Sequence, residues 1–166
     1  MKALIVFYSL EGNTERVANI IKEAAGENTQ MVQLKPLKDL NKKGPMKFIV
    51  GGRQAMKEEG VALQPYEVDI DSANIIFIGT PIWAGKATPA INTFIEEYDL
   101  MGKKLAFFFC SKSGNYSVAL DALLPKLTRS QVIGEIGLKT SVVKSTQEEE
   151  LQVSTWAKEV IGKLTK

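Results

Sequence analysis

Three short stretches carry residues able to do chemistry, and all three read as loops. The first, Ser9-Leu10-Glu11-Gly12-Asn13-Thr14, offers two hydroxyls, an amide and a glycine just before a segment of helical period. Backbone N–H groups left open at such a helix start, at the positive end of the dipole, make an anion site. The stretch holds no lysine, so it is no Walker loop, and it lacks the Gly-x-Gly-x-x-Gly of a dinucleotide site. A monophosphate held by neutral donors fits it better; a simply capped helix start is the alternative. The second stretch, Thr80-Pro81-Ile82-Trp83-Ala84-Gly85-Lys86, puts an indole where the chain leaves an apolar run. A loop Trp either folds back into a core or offers its face to a planar ligand. The third, Cys110-Ser111-Lys112-Ser113-Gly114-Asn115, supplies backbone and hydroxyl partners for the polar edge of a ring system.

Several chemistries are excluded outright. The chain has no histidine, which removes a Ser/His/Asp triad, a Cys/His pair, a His-ligated metal and a His proton shuttle. Its single cysteine, Cys110, allows no internal disulfide and no cysteine cluster for a metal, so no metal is expected. A low-molecular-weight phosphatase needs Arg six residues after its Cys, and that position is Tyr116. Cys110 therefore reads as a small buried residue at a strand end rather than a reactive thiol. A phospho-receiver domain is disfavoured too, because no acidic pair follows the first apolar run and no Asp ends the third.

The loops need a scaffold, and the chain supplies one of ordinary soluble composition: 166 residues, 45% hydrophobic and 24% charged, with 13 Gly and 6 Pro. That length predicts a single domain over residues 1–166, large enough to bury roughly two-thirds of its surface without staples. Net charge is +2, with basic residues scattered; Lys42/Lys43 and Lys103/Lys104 are too short to be a nucleic-acid footprint. The longest apolar runs are too short to cross a bilayer. The amino terminus reads as mature structure without a cleavage-like site, and the expected location is the cytoplasm.

Ala3 to Tyr8, Ile75 to Gly79 and Leu105 to Cys110 are continuously apolar and rich in Ile, Val and Phe, as strands buried on both faces must be. Each is followed by one of the three loops and then by a helical pattern, the mark of βα units. After the first, Asn13 can cap a helix with Val17, Ile20, Ile21, Ala24 and Ala25 on one stripe and Gly26 at its end. After the second, Thr88 precedes Pro89 as cap before first-turn proline, and Ile91, Phe94 and Ile95 form the stripe. After the third come Ala119, Leu120, Leu123 and Leu124, ending near Pro125. Weaker strands are expected at Gln30 to Leu34 and Val132 to Leu138. The last helix opens with a capping box from Ser145 to Glu148 and turns Val153, Trp156, Val160 and Leu164 to the core.

Residues 37–71 break this alternation. Pro45 could open a helix carrying Phe48, Ile49, Ala55 and Met56, although Gly51 and Gly52 would each weaken it by about 1 kcal/mol. The alternatives are a surface excursion in place of the crossover helix, its glycines close against the sheet, or a lid beside a ligand. Five parallel strands alternating with helices predict a doubly wound α/β sandwich of three layers with strand order 2-1-3-4-5. Ligands of such sheets bind beyond the carboxyl ends of the strands where the winding reverses, between the first and third. All three loops converge there, and at that edge stacking becomes the favoured role of Trp83.

At this point the sequence resembles the flavodoxin family through Ser9-x-x-Gly12-Asn13-Thr14, Gly79-Thr80-Pro81-Ile82-Trp83 and Cys110-x-x-Ser113-Gly114. The resemblance spans nearly the whole chain and is weakest in residues 37–71. It implies a flavodoxin-like fold that binds FMN non-covalently. Ser9, Leu10, Glu11, Gly12, Asn13 and Thr14 would hold the phosphate, with the Ser9 and Thr14 hydroxyls and backbone N–H groups as donors. Thr80, Pro81, Ile82, Trp83, Ala84, Gly85 and Lys86 would flank the isoalloxazine, Trp83 lying over it. Cys110, Ser111, Ser113, Gly114 and Asn115 would contact its pyrimidine edge. Ala84 or Gly85 would bring a backbone carbonyl to the reduced ring nitrogen, Gly85 being better suited because it tolerates positive φ.

Three departures from the family pattern bear on function. Glu11 stands where the family often has Thr, so its carboxylate should point to solvent. Lys86 and Lys112 lie in the flavin loops of a slightly basic chain, whereas typical members are strongly acidic; this disfavours docking on basic partners and favours a less reducing flavin. The third loop has no clear second stacking aromatic: Tyr116 could serve, or could belong to the first turn of a helix. The expected function is redox work through FMN, either as an electron carrier with a redox partner protein or as a reductase of a small-molecule acceptor, with NAD(P)H as donor. The competing readings are a flavodoxin-like binding or regulatory module without redox work, and a site for another planar phosphate such as a nucleotide.

Overall fold

The structure, a computed structural model, describes residues 1–40, 46–57, 59–139 and 146–165. Strands β1 (Ala3–Phe7), β2 (Thr29–Gln33), β3 (Ile75–Pro81), β4 (Lys104–Ser111) and β5 (Gln131–Lys139) form one parallel sheet in the order β2-β1-β3-β4-β5. Between and after them come α1 (Asn13–Ala25), α2 (Met46–Met56), α3 (Pro89–Glu97), α4 (Ser117–Leu123) and α5 (Gln147–Gly162). This is the doubly wound α/β arrangement that the alternation of apolar runs and helical stripes predicts.

The central strands are continuously apolar because both of their faces are covered. One parity of residues, Leu4, Val6, Ile76, Ile78, Phe107 and Phe109, packs against Ile91 and Phe94 of α3 and Ala119 and Leu123 of α4. The other parity, Ile5, Phe7, Ile75, Phe77 and Phe108, packs against Val17 and Ile21 of α1 and Val153 and Val160 of α5. Trp156 completes that second layer only partly buried, its ring edge-on to Phe77 at 5.8 Å. Gly79 and Phe108 are register partners on β3 and β4, and a Cβ built on Gly79 would stand 2.0 Å from the Phe108 ring. The glycine thus leaves the room in which its neighbour's ring lies.

Helix ends differ from the sequence expectation in instructive ways. The cap of α1 is Gly12 in the left-handed region at φ 90°, and Asn13 is the first helical residue. The chain must double back sharply from β1, and glycine takes that conformation without a Cβ penalty. Thr88 stands at the N-cap of α3 before Pro89, but its hydroxyl faces the Thr80 hydroxyl at 3.1 Å instead of the helix N–H groups. Ser145 lies outside the described residues; the cap of α5 is Thr146, whose Oγ1 accepts from Glu149 N at 3.1 Å, one residue beyond the expected box. Leu124 falls in the 3-10 turn that follows α4 and is exposed, so it leaves the stripe that Ala119 and Leu123 bury.

Within residues 37–71 a crossover helix is present, so no surface excursion replaces it. Pro45 and the side chains of Phe48 and Ile49 lie outside the description, Ala55 is buried and Met56 is exposed. A neck pinches this excursion off from the sheet: Pro36 and Leu63 form an antiparallel bridge, with Leu37 N donating to Ala62 O at 2.9 Å and Gln64 N to Lys35 O at 2.7 Å. Thr93 of α3 anchors the neck from below, exchanging hydrogen bonds with Val61 N at 2.7 Å and Val61 O at 2.8 Å.

Overpacking between β3 and β4 is the sheet's sharpest sensitivity. Gly79→Ala is expected to destabilise the fold by about 3 kcal/mol, read as a lower urea midpoint at unchanged slope. The double variant with Phe108→Leu should recover part of the loss.

Candidate functional site

The carboxyl ends of β1, β3 and β4 open onto a cleft of about 1100 Å³ lined by Ser9, Leu10, Glu11, Asn13, Thr14, Pro81, Ile82, Trp83, Ala84, Gly85, Cys110, Ser111, Lys112, Ser113, Asn115, Tyr116, Val118 and Ala119. It lies beyond the point where the winding reverses, between β1 and β3. Some residues of the three loops support it without lining it. Gly12 makes the turn into α1, Thr80 is buried beneath the second loop, Gly114 carries the bend of the third at φ 77°, and Lys86 closes a turn.

The first loop is built to present N–H groups. Ser9 Oγ accepts from Gly12 N at 3.1 Å, which leaves its own O–H to donate, and Ser9 O accepts from Gln33 Nε2 at 3.2 Å. The N–H groups of Asn13, Thr14 and Glu15 open α1, where a helix has no acceptors of its own to offer them. Thr14 is buried, close to Cys110. Glu11 is exposed at the rim, in keeping with a carboxylate that must stay away from an anion. Behind the loop, Arg16 Nη2 meets Glu149 Oε1 at 3.1 Å, tying the first turn of α1 to that of α5.

The second loop is a two-residue reverse turn. Trp83 N donates to Lys86 O and Lys86 N to Trp83 O, both at 3.0 Å, while Ala84 and Gly85 take φ of 49° and 78°. Positive φ at both central positions is the primed turn that a right-handed twist favours. Gly85 takes the positive φ expected of it, and Ala84 takes it too, at about 1 kcal/mol of strain. Below this turn, Thr80 Oγ1 donates to Pro81 O at 2.8 Å and accepts from Thr88 N at 3.1 Å, and Ile82 N reaches Cys110 O at 2.9 Å.

Trp83 does two things that the sequence presents as alternatives. It lines the cleft, and it also packs against the core with its ring edge-on to Tyr8 at 5.5 Å. Its support comes from residues 37–71: a Cβ on Gly51 would lie 3.0 Å from Trp83 Cε3, with Leu40 equally close. Tyr8 in turn donates its hydroxyl to Asp39 Oδ1 at 2.6 Å, and burial, reinforced by that carboxylate, pushes its phenol far above the usual range. The glycines expected to approach the sheet therefore serve the indole: Gly51 touches it and Gly52 faces Ala84.

The third loop ties up its own side chains. Ser111 Oγ accepts from Gly114 N at 2.9 Å, Ser113 Oγ from Asn115 N at 3.2 Å, and Asn115 Oδ1 from Ser117 N at 3.1 Å. A ring edge placed here would meet mainly backbone groups. Cys110 is buried, and burial pushes its thiol up to about 12 in spite of Thr14 and Arg16 beside it. Tyr116 caps α4, with its ring flat against Phe109 at 5.2 Å and 5°.

The sequence profile of flavodoxins matches residues 2–159. The chain belongs to the flavodoxin family. Among solved structures, this flavodoxin is similar to a protein of Bacteroides eggerthii put forward as a flavoprotein, at TM-score 0.76 and 21% identity over 96% of this chain and 98% of that one. It is also similar to a Lactobacillus acidophilus flavoprotein in complex with FMN, at 0.69 and 21% over 81% and 91%. Oxidised flavodoxin 1 of Bacillus cereus follows at 0.59 and 20% over 98% of each chain. Comparison with curated proteins gives no match.

Sequence reasoning did not place Val118 and Ala119 at the cleft, whereas Lys112, which it put in the flavin loops, does line it. The signal was available, because a helix that starts directly after the third loop must turn its first residues to the same opening. Gly51 as the backing of Trp83 had no local signal at all.

Indole fluorescence and thiol chemistry test this geometry. In a Trp156→Phe background, Gly51→Leu should shift Trp83 emission to longer wavelength by pushing the indole toward water. Gly52→Ala, whose Cβ meets only ordinary contact at 3.5 Å, should leave emission unchanged and add up to about 1 kcal/mol of helix stability. Cys110, neutral in the fold up to about pH 12, should resist iodoacetamide at pH 8 and react once urea unfolds the chain. Because its thiol ionises more readily unfolded than folded, its contribution to stability should fall as pH rises above about 9.

Proposed function

We propose that this flavodoxin binds FMN non-covalently in the cleft and uses it for redox work, passing electrons to a partner protein or to a small acceptor. The observation that carries the reading is a single opening in which an indole wall adjoins the start of α1, with Ser9, Asn13 and Thr14 in its lining. The donor set suits a monophosphate ester: the Ser9 hydroxyl, the first N–H groups of α1 and the helix dipole supply the positive field, and no cation is required. The neighbour crystallised with FMN supports the same cofactor.

When bound, FMN supplies the electron chemistry; the chain positions it and sets its surroundings. Trp83, backed by Gly51 and braced by Tyr8, offers a rigid face for the ring system. The third loop would offer backbone groups to the ring's polar edge, and Ala84 and Gly85 of the strained turn line the cleft. Lys112 lines the cleft and Lys86 ends that turn, so positive charge stands near the ring. Cations there favour the reduced, anionic form and make the flavin a weaker reductant than in an acidic flavodoxin. A reduced nicotinamide is the donor class proposed for it. Among the described residues no helix is long and apolar enough to cross a membrane.

Purified chain incubated with excess FMN and freed of unbound flavin should stay yellow and lose indole fluorescence. Trp83→Ala should weaken uptake roughly five-fold, about the 1 kcal/mol of an aromatic stack. A chain that neither colours nor quenches would leave the binding-module reading in its place. In a redox titration of the loaded protein, Lys86→Glu and Lys112→Glu should each lower the midpoint potential; unchanged potentials would remove the charge argument.

A further inference from the structure

From Trp83 a path leads away from the cleft. The indole lines the opening, and Tyr8 stands edge-on behind it with ring centroids 5.5 Å apart. Tyr8 follows β1 and is only 2% exposed; its hydroxyl donates to Asp39 Oδ1 at 2.6 Å. Asp39 belongs to the excursion and is exposed, its Oδ1 also accepting from Leu40 N at 2.8 Å. Indole, phenol and carboxylate thus stand in series from the cleft wall to solvent. The other oxidisable rings among the described residues are paired elsewhere: Tyr66 with Tyr98, Tyr116 with Phe109, and Trp156 with Phe77 on the other face of the sheet.

These three groups, in this order, can move an electron and a proton together. A phenol that keeps its proton is hard to oxidise, because the radical cation it would form is a very strong acid. It yields an electron readily only when a base takes the proton in the same step. Burial, reinforced by the carboxylate, keeps the Tyr8 proton on its oxygen far above the usual range, so the base must already be in place. Asp39 is in place, at a separation within the roughly 2.5–2.7 Å of a charge-assisted O–H···O bond, where the proton has little distance to travel. Bracing a buried phenol asks for less, since any acceptor, a backbone carbonyl included, would satisfy the hydroxyl.

We infer that Tyr8 and Asp39 are a relay that draws oxidising equivalents off Trp83. A one-electron oxidant that enters the cleft, of the class of small inorganic radicals, takes an electron from the indole and leaves it a radical cation. Tyr8 returns the electron to the indole while its phenolic proton crosses to Asp39 Oδ1. Trp83 is thereby restored, Tyr8 becomes a neutral phenoxyl radical, and Asp39 becomes a carboxylic acid. A soluble reductant of the ascorbate class then gives one electron to the phenoxyl and Asp39 gives back the proton. One electron has passed from reductant to oxidant, and the indole at the cleft wall is preserved. The relay is built from the chain's own residues and does not rest on FMN binding.

Pulse radiolysis tests it on the full-length chain carrying Trp156→Phe, which leaves Trp83 as the one indole of the two in the sequence. Azide radicals oxidise the indole, and transient absorption follows the indolyl and phenoxyl bands. The expected result is decay of the first and growth of the second at one rate, independent of protein concentration and slower in deuterated water. Tyr8→Phe should abolish that growth, and Asp39→Asn should slow it about ten-fold. Growth that scales with protein concentration, or persists at the parent rate in Tyr8→Phe, would place the phenoxyl on another tyrosine and overturn the inference. Asp39→Asn that melts at a lower temperature but transfers at the parent rate would leave only a brace, and would overturn it equally. If Tyr8→Phe does not fold, the Asp39→Asn rate and the deuterated-water comparison decide. A chain that transfers as expected yet takes up no FMN overturns the function proposed above and leaves the relay standing.

Discussion

Close packing across a parallel sheet limits how many bulky side chains can stand side by side, and in this protein the limit is met by pairing rings with glycines. Phe108 lies in the space that Gly79 leaves on the neighbouring strand. Trp83 rests on Gly51 of α2, and the Tyr116 ring shares the place of the missing side chain of Gly137 with the Gly114 carbonyl. Interiors packed at crystal density transmit such substitutions directly, because a ring has nowhere else to go. The first pair sets how tightly the central strands pack. The other two fix Trp83 and Tyr116, the two aromatic residues that line the cleft. Scaffold and site therefore share one packing rule.

The second organising feature is electrostatic. β1 ends, Gly12 turns the chain at φ 90°, and α1 begins at the cleft, which Asn13 and Thr14 line. A backbone field of this kind is set by geometry and does not titrate, which suits a site with no histidine and with a buried thiol kept neutral. Glu11 is compatible with that field because it is exposed at the rim. The Arg16–Glu149 pair secures the start of α1 from behind by joining it to α5.

Much of this was legible in the sequence, for identifiable reasons. Ala3 to Tyr8, Ile75 to Gly79 and Leu105 to Cys110 had to be interior strands because both parities of each run are apolar, and a parallel sheet covered on two faces is the architecture that demands this. Once those strands were placed, the three loops fell at one edge by topology alone. What escaped depends on contacts between distant segments. That Gly51 supports Trp83, or that Tyr116 belongs to Gly137, cannot be read from neighbours in the chain. The caps moved by one residue, from Asn13 to Gly12 and from Ser145 to Thr146, because the path of the incoming chain decides which residue turns the corner. Trp83 offered core and ligand face as alternatives, yet an indole is large enough to serve both.

The neck at Pro36 and Leu63 has a wider meaning. Where a long excursion leaves and rejoins a scaffold through two adjacent, hydrogen-bonded points, its contents can be exchanged without disturbing what lies beneath. Here the exchangeable piece carries the support of the indole. Descendants of this architecture can therefore retune the aromatic wall by swapping a cassette, with the sheet and the anion cradle inherited intact.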